Sequence, residues 1–174
     1  MQAHIEQALA QLPESLQEPV KQQWQTFTGA VTDLAELPRA VAEALPRVWA
    51  ASNFVAQQCL RQPVLLSDLA QQDLQQQYNW ETYHDRLTEK LQNITQETDL
   101  MRELRQFRRR EMVRIIWRDI AGWAELAETL EDLSALADAC IEQAQALINR
   151  LGFNNAGHIR VKARLAMRER NGVM

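Results

Sequence analysis

The stretch DLMRELRQFRRREMVRIIWRDIAG, residues 99–122, decides the fold of this chain. It carries seven arginines between residues 102 and 118, with no proline and no glycine before Gly122. Most of its residues favour helix, so it predicts one helix of at least about five turns.

The side chains of this helix fall into two apolar surfaces when they are placed at 3.6 residues per turn. The first is formed by Leu100, Leu104, Phe107 and Ile115. The second, on the opposite side, is formed by Met112, Val113, Ile116 and Ile120. A helix that is apolar on two sides is packed on two sides.

Three charged residues, Glu111, Arg114 and Arg118, lie within the first apolar surface. Their charges must be paired, because an unpaired buried charge costs several kcal/mol. One interpretation is a structural ion network of Arg108, Glu111, Arg114 and Arg118, which share one face at spacings of three and seven residues. The other is a phosphate site, because the arginine fork matches phosphate oxygens. The spacing favours the structural network.

The composition predicts an all-α protein. The 174 residues include five glycines and five prolines, many alanine, leucine and glutamine residues, and few β-branched runs. We expect a bundle of about six helices, in which the C-terminal two or three are long and antiparallel. Three regions are predicted: an N-terminal helical region over 1–45, a helical bundle over 46–152 and a loosely ordered basic tail over 153–174.

Within this plan, several element boundaries are predicted from local signals. The pair Leu45-Pro46 predicts the start of a helix that runs to Pro63 and contains Ser52. The segment from Thr95 to Asp99 predicts the N-terminal cap of the arginine-rich helix. Thr129 predicts the start of the last helix, with Asp132 as its partner in a capping box.

Charge and cysteine content limit the functions that are available. The net charge is −4 and the basic cluster is local, which argues against nucleic-acid binding. Cys59 and Cys140 both lie in apolar helical patterns, as expected of reduced thiols in the cytoplasm. The sequence shows no pattern of a signal peptide or a membrane span. No His or Cys residues occur at metal-ligand spacing, so no metal site is predicted.

Three segments resemble one enzyme family. They are LMRELRQFRRREMVRIIWRDIAG (residues 100–122), WAASNFVAQQCLRQPVLLSDL (residues 49–69) and ETLEDLSALADACIEQA (residues 128–144). They resemble, in order, helices that precede the catalytic core in the adenylyl-removing half of bifunctional glutamine synthetase adenylyltransferase/adenylyl-removing enzymes. The resemblance extends over residues 48–155.

The resemblance implies nucleotidyltransferase chemistry on glutamine synthetase, with Mg²⁺, ATP or phosphate, and regulation by a PII signal protein. It also implies that the arginine-rich helix supports the active site, with phosphate contacts from Arg109, Arg110 or Arg114. The family's catalytic segment has a glycine-rich turn and an Asp-x-Asp pair, and neither occurs in this sequence. Two-metal chemistry needs such carboxylates. We therefore expect a fragment or truncated homologue that binds no cofactor and is inactive alone. The catalytic segment would have been lost by truncation or by a change of reading frame near His158. The alternative is a stand-alone helical protein-interaction module, which either binds a partner through its apolar surface or self-associates.

Overall fold

The computed structural model describes residues 2–30, 37–71 and 74–151, the side chain of residue 151 excepted. This part of the chain is all-α, as predicted. Its eight helices are α1 (Gln2–Leu9), α2 (Glu14–Ala30), α3 (Arg39–Ala51), α4 (Asn53–Arg61), α5 (Val64–Gln71), α6 (Trp80–Leu91), α7 (Glu97–Ala121) and α8 (Leu126–Leu151). The predicted basic tail lies outside the described residues. No described helix is both long enough and apolar enough to cross a membrane.

Ser52 accounts for one of the additional helices. The chain from Leu45 to Pro63 was expected to form one helix, and that prediction is wrong. Helix α3 begins earlier, at Arg39, and Ser52 adopts an extended backbone conformation with φ −134° and ψ 96°. The hydroxyl of Ser52 accepts a hydrogen bond of 3.3 Å from the backbone N–H of Val55. Ser52 therefore caps α4, because its side chain satisfies an N–H group that lacks a partner within the helix.

The N-terminal end of α7 differs from the prediction. The N-cap is Gln96, whose side chain makes no capping hydrogen bond, so the predicted threonine cap is wrong. Glu97 and Asp99 nevertheless place negative charge near the positive end of the helix dipole. At the C-terminus, Gly122 has φ 74°, and the N–H of Trp123 donates to the carbonyl of Arg118 at 2.8 Å. This is a glycine-dependent helix stop.

Two hydrophobic clusters form the core of the described chain. The first joins α1 to α5 with the C-terminal half of α7, through Val113 and Trp117. It contains the mutually packed rings of Trp24, Phe27 and Trp49, with centroids 5.5–6.2 Å apart. This cluster contains residues from both the predicted N-terminal region (1–45) and the predicted bundle (46–152). Burial of these large aromatic rings is a major source of stability.

The second cluster lies between α6, α8 and the other side of α7, where it includes Ile115. Leu100 and Phe107 of α7 pack there against Leu87 of α6 and Leu136 of α8. Helices α7 and α8 are joined by a short loop and run antiparallel, as the sequence predicted. Helix α7 is therefore the element shared by both clusters, which explains its two apolar surfaces.

Candidate functional site: a buried ion network on α7

Arg114 lies at the centre of a polar network inside the second cluster. Its side chain is fully buried. Its Nε donates to Glu111 Oε2 at 2.9 Å, and its Nη1 donates to the backbone carbonyl of Gln76 at 2.7 Å. Its Nη2 donates to both carboxylate oxygens of Asp132, at 2.7 and 2.8 Å, and to the hydroxyl of Tyr83. All three guanidinium nitrogens therefore have partners within the protein.

Asp132 brings a second arginine into the network. Arg118 Nη1 lies 3.3 Å from Asp132 Oδ2, and Arg118 Nη2 donates to Glu128. Arg118 Nε donates to the carbonyl of Gln75 at 3.2 Å. Arg118 and Asp132 are both almost completely buried. Glu128 and Asp132 are four residues apart on α8, so both carboxylates face α7.

Arg110 extends the network on the other side of Glu111. Its guanidinium donates to Glu111, and its side chain is 17% exposed. With this residue, three arginines meet the three carboxylates of Glu111, Glu128 and Asp132. The charges balance, and this balance makes the burial of the network tolerable.

Two tyrosines complete the surroundings of Arg114. The Tyr83 hydroxyl donates to Asp132 and accepts from Arg114. The guanidinium carbon of Arg114 lies 3.9 Å from the centroid of the Tyr78 ring, and that of Arg86 lies 4.3 Å from the same centroid. These distances are typical of cation–π contacts. The guanidinium of Arg114 is thus fixed both in its plane and on one face.

Burial and charge shift two ionisable groups in this network. Burial raises the pKa of Tyr83, and the neighbouring Asp132 carboxylate raises it further, whereas Arg114 opposes the shift. For Arg114, burial alone would lower the pKa, but the acidic groups around it, Tyr83, Asp132 and Glu111, outweigh burial and raise it. Tyr83 therefore stays protonated and Arg114 stays charged at neutral pH.

The structure separates the residues that the sequence analysis had grouped. Glu111, Arg114 and Arg118 come together, bridged by Asp132. Arg108 does not join them: its side chain is exposed on another side of α7. Arg108 instead lines a cavity between α4, α7 and α8, together with Leu133 and Leu136.

Two of the three arginines predicted to contact phosphate are accessible. Arg109 and Arg110 line a surface cavity of about 730 Å³ between α5, α6 and α7, together with Arg86 and Lys90. Asp68, Glu89 and Glu111 also line this cavity, so its charge is mixed. Arg114 is buried behind it.

Sequence reasoning missed Tyr83, Glu128 and Asp132 as members of the network. Asp132 was assigned to a capping box with Thr129, and this assignment is wrong because α8 begins at Leu126. The Thr129 hydroxyl instead lies 3.3 Å from Asp119 Oδ1. The spacing of Glu128 and Asp132 on an otherwise apolar helix face is the signal that could have identified them. Tyr83 carried no such signal, because it was one of several apolar residues on its helix.

The cysteines are free, and burial raises the pKa of both thiols, to about 12 for Cys59 and about 11 for Cys140. Arg108 opposes the shift at Cys140. Within residues 2–30, 37–71 and 74–151, no three His, Cys, Asp or Glu side chains are grouped so as to hold a metal ion.

The fold and the network define an all-α protein whose 25-residue helix α7 is held in place by buried, balanced charges. The family model for glutamate-ammonia ligase adenylyltransferase matches residues 42–165, and the chain belongs to this family. The match confirms the family indicated by the resemblance of residues 48–155.

Curated relatives carry the name bifunctional glutamine synthetase adenylyltransferase/adenylyl-removing enzyme. The protein from Nitrosococcus oceani is 50% identical over 103 residues, which are 59% of this chain and 11% of the relative. The protein from Pseudomonas aeruginosa is 39% identical over 152 residues, which are 82% of this chain and 16% of the relative. The chain therefore spans a small part of the relatives that it matches, and corresponds to a fragment of such an enzyme.

Proposed function

We propose that this chain forms the helical region that supports the catalytic segment of an enzyme that attaches AMP to glutamine synthetase and removes it. The family match over residues 42–165 carries this proposal. The bifunctional name of the relatives supplies the two activities and the protein substrate. Such an enzyme would act in the cytoplasm, with a PII signal protein as regulator.

The role of α7 in this function is mechanical. Its buried arginines are bound to α6 and α8 and to the backbone at Gln75 and Gln76. A helix held by several charge-assisted hydrogen bonds resists rotation and translation. It can therefore keep an adjoining active site in register, which is the requirement for phosphoryl and nucleotidyl transfer.

Arg109 and Arg110 are the proposed phosphate contacts, because they are accessible and adjacent. An anion bound at this cavity would contact the guanidinium of Arg109 and that of Arg110, which also donates to Glu111. Arg114 would act behind them as a positioning residue, through Glu111, which contacts both Arg110 and Arg114. Mg²⁺ and the carboxylates that hold it would come from a catalytic segment that this sequence does not contain.

A chimera tests the proposal directly. The matched segment of the Pseudomonas aeruginosa relative is replaced by this chain, and adenylylated glutamine synthetase is supplied with phosphate and Mg²⁺. Phosphorolysis of the AMP group would release ADP. We expect ADP from the chimera at a rate within about tenfold of the parent enzyme, and none at an enzyme-like rate from the isolated chain. A folded chimera without either activity, or ADP production by the isolated chain, would refute the proposal.

A further inference from the structure

A mainly apolar groove lies between α4, α7 and α8, on the side of α7 that faces away from the ion network. Its volume is about 580 Å³. Met112 of α7 and Leu133 and Leu136 of α8 line it, and Phe54 of α4 lies at its edge with 42% of its surface exposed. An exposed aromatic ring next to a lined groove is typical of a surface that binds another polypeptide.

The apolar surface continues along α8. Leu130, Leu133, Ala137 and Ile141 follow one another at spacings of three or four residues, so they form one line along the helix. Leu130 is 55% exposed and Ile141 is 52% exposed. A line of this length on one side of a helical hairpin matches the apolar face of a further helix of about three turns.

The opposite wall of the groove is basic. Arg109 lines both this groove and the cavity next to Arg110, whereas Arg105 and Arg108 line only the groove and are three residues apart on α7. Both side chains are exposed, and neither makes an ion pair or a hydrogen bond with the described residues. Guanidinium groups in this position would attract carboxylates from whatever fills the groove.

We propose that this groove receives an acidic amphipathic helix from the part of the longer family protein that lies outside this chain. The apolar face of that helix would cover Phe54, Met112 and Leu133, and its carboxylates would pair with Arg105 and Arg108. The relatives supply the source, since the matched segments are only 11–16% of their length. This proposal rests on the chain being a fragment, and its ion pairs involve Arg105 and Arg108 rather than the proposed phosphate contacts Arg109 and Arg110.

The first test measures binding between this chain and the Pseudomonas aeruginosa relative from which the matched segment has been deleted. We expect a one-to-one complex by isothermal titration calorimetry. The double variant R105E/R108E should weaken it at least tenfold, and salt should weaken it as well. R61E is the matched control, because Arg61 is exposed on α4 and does not line the groove. Equal thermal unfolding of the three chains shows that the fold is intact.

A second test does not depend on the folding of the deleted relative. Two synthetic 18-residue peptides carry the same leucines at helical spacing, flanked either by glutamates or by lysines. We expect the glutamate peptide to bind at least tenfold tighter, and R105E/R108E to abolish this preference.

Three outcomes would overturn the proposal. The first is equal affinity for the two peptides. The second is a complex with the deleted relative that is insensitive to R105E/R108E. The third is a dimer of this chain in light scattering that R105E/R108E dissociates, which would make a second copy the occupant. If the chimera is inactive but this chain still binds the glutamate peptide more tightly than the lysine peptide, the proposed function is rejected and the groove proposal stands.

Discussion

The arginines of α7 divide into two sets that differ in their surroundings. The inner set, Arg110, Arg114 and Arg118, is bound to three carboxylates. The outer pair, Arg105 and Arg108, lines an apolar groove and has no ion-pair partner among the described residues. The two sets belong to the same helix and lie within 14 residues of each other along the sequence.

The difference shows that a cluster of arginines does not have one function. The inner set is part of the folded core, where each guanidinium must be satisfied before it can be buried. The outer pair remains hydrated and keeps its donors for a partner. We therefore expect substitutions in the inner set to act on stability, and substitutions in the outer pair to act on association.

The largest effect is expected from D132N. This change removes the negative charge shared by Arg114 and Arg118 and keeps the size of the side chain. Breaking one partner out of a buried ion pair costs about 3–5 kcal/mol. Urea unfolding followed by circular dichroism measures the loss of free energy. E142Q is the control, because Glu142 is exposed on the same helix. A loss below about 1 kcal/mol for D132N would show that the inner network does not stabilise the fold.

A smaller effect is expected from Y83F. The variant removes one hydroxyl that donates to Asp132 and accepts from Arg114, and the rest of the buried ring is retained. Loss of a buried hydrogen-bonding group costs about 1–3 kcal/mol. The same urea experiment measures it, with Y78F as a second tyrosine from the network. If Y83F is as stable as wild type, the ion pairs alone account for the stabilisation by the network.

Alkaline pH provides a third comparison. The pKa of Tyr83 is raised in the folded state, so the unfolded chain releases this proton first, near its ordinary pKa of about 10. Stability should then fall as pH rises above about 10, with a contribution from Tyr83 of up to about 1.4 kcal/mol per pH unit. Unfolding free energies between pH 9 and 11 test this. The slope for Y83F should be shallower than for wild type, and identical slopes would contradict the assignment.

The smallest effect on stability is expected from R105A/R108A. Exposed substitutions of this kind change the free energy of unfolding by no more than about 0.5 kcal/mol each. The double variant should unfold at the wild-type urea concentration. A loss of more than about 2 kcal/mol would show that the outer arginines also belong to the core, and would remove the distinction between the two sets.

Much of the fold followed from local patterns. The long helix, the all-α class and the antiparallel α7–α8 pair were predicted, because helical periodicity is a local signal. The break at Ser52 was missed, since a serine inside a helix and a serine that caps one look the same without the backbone. The start of α8 was placed three residues late for a similar reason.

The sequence by itself determined that charges lie within a packed surface of α7, and therefore that partners for them must exist. It also carried the resemblance from which the family was identified. Only the tertiary structure decided which arginines are paired. The partners Tyr83, Glu128 and Asp132 come from α6 and α8, and their distance from α7 depends on how three helices pack rather than on any spacing along one of them. For the same reason, the groove beside Arg105 and Arg108 exists only once α4 and α8 are in place.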